Sequence, residues 1–149
     1  MSKNAVVERK AEASLCCDIY RNVKMGAEAI LNLLPTVEDE KLESELSIQL
    51  SRYEEFAAET KERLEAMGEK PLEEGTFSRF MSKMGIKMNT MIDKTSSHIA
   101  QMIIEGAVMG ITDLQKRLNE ENDYGKAEDI AKRVIDFEQD TVERMKEYL

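Results

Sequence analysis

From Met84 to Leu118 the chain places residues at steps of three and four along one line: Met84, Met88, Met91, Thr95, His98, Met102, Glu105 and Met109. That spacing follows the turn of an α-helix and not the alternation of a strand. A second row, Ile92, Ile99, Ile103, Gly106, Gly110 and Leu114, runs beside it. The two rows make an apolar band wider than a two-stranded seam, and a helix with so broad a band is covered on several sides. The stretch therefore predicts a central helix of a bundle, or a helix that also meets a second copy of the chain. Glycine weakens a helix by about 1 kcal/mol relative to alanine. Gly106 and Gly110, one turn apart, therefore predict close passage of another backbone.

The other segments carry the same period. Cys16, Tyr20, Val23, Ala27, Ile30 and Leu34 form a bundle-type seam on a first helix that starts between Asn4 and Ser14, with residues 1–13 a possible helical extension. Pro35-Thr36-Val37-Glu38-Asp39 breaks it, and Thr36 is placed to cap the next helix. Leu42, Leu46, Gln49, Tyr53, Phe56, Thr60, Leu64 and Met67 line the second helix, which Gly68 and Pro71 stop. Thr76 is placed to cap a short piece over Phe77–Met84, with Gly85 a candidate bend. Ala127, Ile130, Val134, Phe137, Thr141, Met145 and Tyr148 mark the last helix. Two prolines, seven glycines and no Trp leave few breaks in 149 residues, and no linker divides the chain. The expected fold is all-α, a single domain over residues 1–149 built as an up-down-up-down antiparallel four-helix bundle.

Charge narrows the partners. A formal net charge of −9 disfavours nucleic acid, whose phosphates are held by clustered Lys and Arg. No run approaches the roughly 18 apolar residues of a membrane span, and the first residues lack an apolar signal core, so a cytoplasmic location is expected. Cys16 and Cys17 are the only cysteines, so no disulfide framework exists. Both read as small core residues before they read as reactive thiols. No glycine-rich phosphate loop, CxxC pair or nucleophile turn appears.

The polar residues on core rows are the functional lead. Counting from the turns brings Glu28, Gln49, Glu105 and Glu138 to one height, within a turn either way. Inward carboxylates from several helices bind hard divalent cations through oxygen. The Glu-x-x-His pair of di-metal bundles is missing: His98 is the only histidine. His98 reads as a bonded core histidine, a metal ligand or a proton carrier. Glu105 reads as one half of an ion pair or as part of an ion or ligand site. The ten methionines, six of them between Met81 and Met109, read as core filling, as a docking face for a protein partner, or as soft-metal ligands with Cys16, Cys17 and His98.

Over Ile19–Leu118 the chain resembles the ferritin-like superfamily, and within it small functionally unassigned bacterial bundle proteins. The resemblance is carried by Gly26-Ala27-Glu28-Ala29-Ile30, by Tyr53-Glu54-Glu55-Phe56 with Gly68-Glu69-Lys70-Pro71, and by His98 to Gly110 around Glu105. It implies single carboxylate ligands at Glu28 and Glu105, and also Glu55 and Glu138, for a divalent metal such as iron or manganese. Two functions follow. One is a non-enzymatic interaction or assembly protein, a homo-oligomer with a reduced or absent metal site. The other is a metal-binding protein with redox or storage activity, its site drawn from Glu28, Glu55, His98, Glu105 and Glu138.

Overall fold

A computed structural model describes residues 3–70 and 93–149, and every regular element among them is helical. Helices α1 (Lys3–Leu33), α2 (Glu40–Ala66), α3 (Ser96–Leu118) and α4 (Lys126–Met145) pack against one another, with 3-10 turns at Leu34–Thr36 and Lys146–Tyr148. The short piece over 77–84, the bend at Gly85 and the methionines from Met81 to Met91 lie outside the described residues. Among the described residues no helix is long and apolar enough to cross a membrane.

The seam of α1 is wider than its spacing predicts. Leu15, Ile19 and Leu33 join Cys16, Tyr20, Val23, Ala27 and Ile30 in the core. The helix runs back through residues 3–13 without a break, so the N-terminal extension is part of α1. Glu12 there is buried and accepts from Arg63 Nε of α2 at 2.7 Å and from the backbone N–H of Lys126 at 3.2 Å. Lys126 opens α4, whose own N-cap, Gly125, offers no side chain. One carboxylate thus joins three helices, and a Cβ on Gly125 would meet it at 3.1 Å.

Asp39, not Thr36, caps α2. It stands directly before the first helical residue and accepts from the N–H groups of Lys41 at 2.8 Å and Leu42 at 3.1 Å. Thr36 is caught in the 3-10 turn and donates to the Leu33 carbonyl instead. All seven predicted core positions of α2 from Leu42 to Leu64 are buried. A fully buried Phe56 contributes on the order of 1.5–3 kcal/mol to such a core. The helix ends as its Gly68 predicts. Glu69 N–H bonds the Leu64 carbonyl and Gly68 N–H the Glu65 carbonyl, a pairing that needs the positive φ of +76° at Gly68.

The central helix departs from expectation in two ways. Within the described residues it begins at Ser96, because the Thr95 side chain accepts the His98 N–H and closes the helix there. The second apolar row, not the first, faces the core: Ile99, Ile103, Gly110 and Leu114 are buried with Ala100 and Ala107, while Gly106 is half-buried. Thr95 and Glu105 are exposed, and His98, Met102 and Met109 lie half-buried along the flank. Branched isoleucines and small alanines fill the narrow space between helices, and the flexible methionines are left at its edge.

Helix directions follow from the contacts. Glu12 meets Arg63 and Gly26 meets Tyr53, so α1 and α2 run oppositely. Asp18 pairs with Arg117 and Asn22 meets Gly110, so α1 and α3 also run oppositely. Glu12 with Lys126 and Asn22 with Glu138 make α1 and α4 run alike. The strict up-down-up-down order expected from short connections therefore gives way. α2 and α3 point the same way, since both run opposite to α1.

Candidate functional site

The centre of the fold holds one buried acid. On α4, Phe137 was the expected core residue and Glu138 its neighbour, but Phe137 is half-buried and Glu138 is 1% exposed. Isolated burial of a carboxylate is costly, so each oxygen has a donor from another helix. Asn22 of α1 donates from Nδ2 to Oε1 at 2.9 Å, and Tyr53 of α2 donates its hydroxyl to Oε2 at 3.0 Å.

Two glycines make room for these groups. At Gly26 of α1 a Cβ would lie 2.4 Å from Cζ of Tyr53, so the ring rests on bare backbone. Phe137 meets the same ring edge-on, with centroids 4.9 Å apart at 87°, and fixes its tilt. At Gly110 of α3 a Cβ would stand 2.6 Å from Asn22 Oδ1 and from both Glu138 oxygens. The close approach that Gly110 predicts is real, but side chains make it rather than a backbone. Gly106 has open space where its Cβ would be.

Burial is the largest influence on the acid. It raises the Glu138 carboxyl to about 8, while the Asn22 and Tyr53 hydrogen bonds pull downward less strongly and the Asp113 charge adds a further rise. Glu138 is accordingly a carboxylic acid for most of the time at neutral pH. Burial first, and then Glu138, lift the Tyr53 hydroxyl well above its ordinary range, so Tyr53 stays a donor. Gln49, one turn before Tyr53 on the buried face of α2, adds a further polar group. Neither its Nε2 nor its Oε1 has a hydrogen-bond partner among the described residues.

A pocket of about 360 Å³ lies between α1 and α3, with Asn22 and Gly110 in its lining. Met25 and Leu114 give it apolar wall; Asp113 and Lys116 stand at its exposed side. Asp18 pairs with Arg21 at 3.3 Å and with Arg117, which also reaches Glu120 at 3.5 Å.

The other residues singled out from sequence lie apart from this centre. Glu28 is half-buried on α1. Glu55 is exposed and bonded to Arg52 at 2.8 Å. Glu105 is exposed and accepts from Gln101 at 3.0 Å, which removes it from the expected inward layer. His98 sits in the first turn of α3. Among the described residues no three of His, Cys, Asp and Glu are grouped to hold a metal ion. Cys16 is buried, and burial together with Glu12 pushes its thiol up to about 12, which leaves it without nucleophilic character at neutral pH.

Asn22 and Tyr53 complete the centre, and neither was singled out as a site residue. Tyr53 fits an apolar core row by spacing, so its hydroxyl goes unnoticed. Asn22 stands one position before the seam residue Val23, and a polar residue there is ordinary. The available signal was Gly26 and Gly110, each positioned where a neighbouring side chain takes the space of a Cβ. No protein-family model, curated protein or solved structure matches the chain.

Proposed function

We propose that the protein is a ferritin-like helical bundle acting as a non-enzymatic interaction and assembly module, in which a closed hydrogen-bond group occupies the middle of the core. The observation that carries this reading is the capture of both Glu138 oxygens by Asn22 and Tyr53. A carboxyl so engaged by two neutral donors fixes the mutual register of α1, α2 and α4, which is the best-supported use of a buried polar group. Helix directions favour the ferritin-like arrangement: α2 and α3 point the same way, as two helices do in bundles of that superfamily.

The surface supports self-association. Ile48 of α2 and Leu31 of α1 are 67% and 51% exposed, and Val108 of α3 is 46% exposed beside the half-buried methionine flank. Multi-angle light scattering tests the assembly directly. A mass above one chain that falls to one chain in Ile48→Lys or Val108→Lys agrees with the reading; a single-chain mass at all concentrations removes it. Elemental analysis after growth with added iron and manganese tests the second reading, a carboxylate metal site. Near-stoichiometric metal that is lost in Glu138→Gln or Glu105→Gln would replace the assembly reading with that one.

A further inference from the structure

The hydrogen bonds of Glu138 leave no place for its own proton. Oε1 accepts from Asn22 Nδ2 at 2.9 Å and Oε2 accepts from the Tyr53 hydroxyl at 3.0 Å, so each oxygen receives a proton from a neighbour. That is the pattern of a carboxylate, which only accepts; a carboxylic acid also has one O–H to donate. Burial keeps the carboxyl protonated up to about 8, so below that value one of its two neighbours has to accept. Tyr53 is poorly suited to the exchange. Were it to accept from the acid, its own proton would need a second acceptor, and among the described residues its hydroxyl bonds Glu138 alone. Asn22 carries a donor and an acceptor of nearly equal size on one flat group, so a half turn of its amide exchanges them in place. The surroundings allow that turn. Asn22 is half-buried and lines the pocket between α1 and α3, so water meets its outer end whichever atom stands there. Gly110 presses no side chain on it, whereas a Cβ there would lie 2.6 Å from Oδ1.

We propose that Glu138 and Asn22 form a proton-linked switch, in which the Asn22 amide makes a half turn each time the carboxyl gains or loses its proton. With the proton on, the Glu138 O–H donates to Asn22 Oδ1, and Nδ2 points outward. When the proton leaves for solvent, Nδ2 turns inward to donate to Oε1, and Oδ1 points outward. Tyr53 donates to Oε2 in both states. The wall between α1 and α3 thus offers a donor below the transition and an acceptor above it, with no movement of a helix. The titratable groups that bear on Glu138 are Tyr53 from α2 and Asp113 from α3, and α1 brings the neutral Asn22. The Tyr53 hydroxyl is held well above its ordinary range, so it keeps its proton while the acid loses its own. Among the described residues no His, Cys, Asp or Glu joins Glu138 in a set able to hold a metal ion. The proposal does not depend on the assembly reading.

The test is NMR of the full chain, carbon- and nitrogen-labelled, with a chelator present, from about pH 6 to about pH 9, either side of the Glu138 transition. At the acid end the Asn22 side-chain carbonyl carbon should show the downfield shift of an acceptor from a carboxylic acid. Its Nδ2 protons should there exchange with water as those of an exposed asparagine do. At the alkaline end the carbonyl signal should move upfield, and one Nδ2 proton should exchange about tenfold more slowly than the exposed reference. Both changes should share one midpoint. Tyr53→Phe leaves Asn22 and Glu138 facing each other and should keep both changes. Glu138→Gln has no carboxyl proton to lose and should remove both. An Nδ2 proton protected equally at the two ends of the range, or changes that persist in Glu138→Gln, would overturn the proposal. Their loss in Tyr53→Phe would also overturn it and assign the reversal to the phenol. The native chain and Tyr53→Phe decide the question even where Glu138→Gln fails to fold.

Discussion

Asn22 and Glu138 are 116 positions apart in the chain and 2.9 Å apart in the fold. Their contact, with that of Tyr53 on the other carboxyl oxygen, ties three helices at one height around a group that burial keeps protonated. Stability should therefore depend on pH through this one acid.

The sign follows from proton counts. The folded carboxyl titrates at about 8 and the unfolded one at its ordinary value near 4.5, so between these the folded state holds a proton that the unfolded state has lost. Stability from this group is greatest below the lower value and falls as pH rises, by up to about 1.4 kcal/mol per pH unit, levelling off above the upper value. Glu138→Gln keeps an uncharged group of the same shape and removes the titration. Urea midpoints taken from about pH 5 to about pH 9 should slope downward in the native chain and be nearly flat in the variant. Parallel slopes would mean that Glu138 is not the titrating group.

Tyr53→Phe removes one donor and leaves the ring packing on Gly26 intact. The expected loss is about 1–2 kcal/mol. Combined with Glu138→Gln, the losses should not add, because both changes act on the same hydrogen bond. A double-mutant cycle by chemical denaturation checks this; strict additivity would place the hydroxyl outside the network.

The two glycines of α3 should respond in opposite directions to the same change. Gly106→Ala adds a methyl into open space and gains helix propensity, for about 0.5–1 kcal/mol of added stability. Gly110→Ala drives a methyl to 2.6 Å from Asn22 Oδ1 and both Glu138 oxygens. The neighbours must shift, and the expected result is a net loss of about 1–3 kcal/mol despite the same propensity gain. Thermal midpoints of the two variants, measured side by side, decide the matter.

Gln49→Leu should stabilise the protein. The native amide is 3% exposed with both polar atoms unbonded among the described residues, and an unpaired buried polar group costs about 1–3 kcal/mol. Leucine has similar volume and no polar atoms to leave unpaired. A lower urea midpoint in this variant would show that the amide has a partner after all.

What the chain discloses about itself differs between its helices. On α2 the apolar row is regular and the caps are local, so its seven core positions and its Gly68 stop are legible from spacing alone. On α3 two rows compete, and the methionines Met102 and Met109 fit a helical row as well as isoleucine and alanine do, although the smaller and branched residues fit the space between helices. Glu105 and Glu138 are alike as letters in a helical pattern, yet one is exposed and the other is at the centre. That difference comes from what α1 and α2 bring to it, namely Asn22, Tyr53 and the gap at Gly26. Helix direction is hidden in the same way: short turns argue for alternation, and only contacts such as Asn22 with Gly110 show that α2 and α3 run alike.

The reach of Glu12 to the Lys126 N–H has a consequence for how the protein assembles. α4 opens on a glycine with φ of +56° and no capping side chain, and its first turn is closed by a residue from the far end of the sequence. A helix that borrows its cap cannot nucleate well on its own, since nucleation already fixes several residues for one bond. The first turn of α4 should therefore form only when α1 has docked, late along the folding route. In hydrogen exchange, the Lys126 amide should open together with the α1 core instead of fraying like an ordinary helix end.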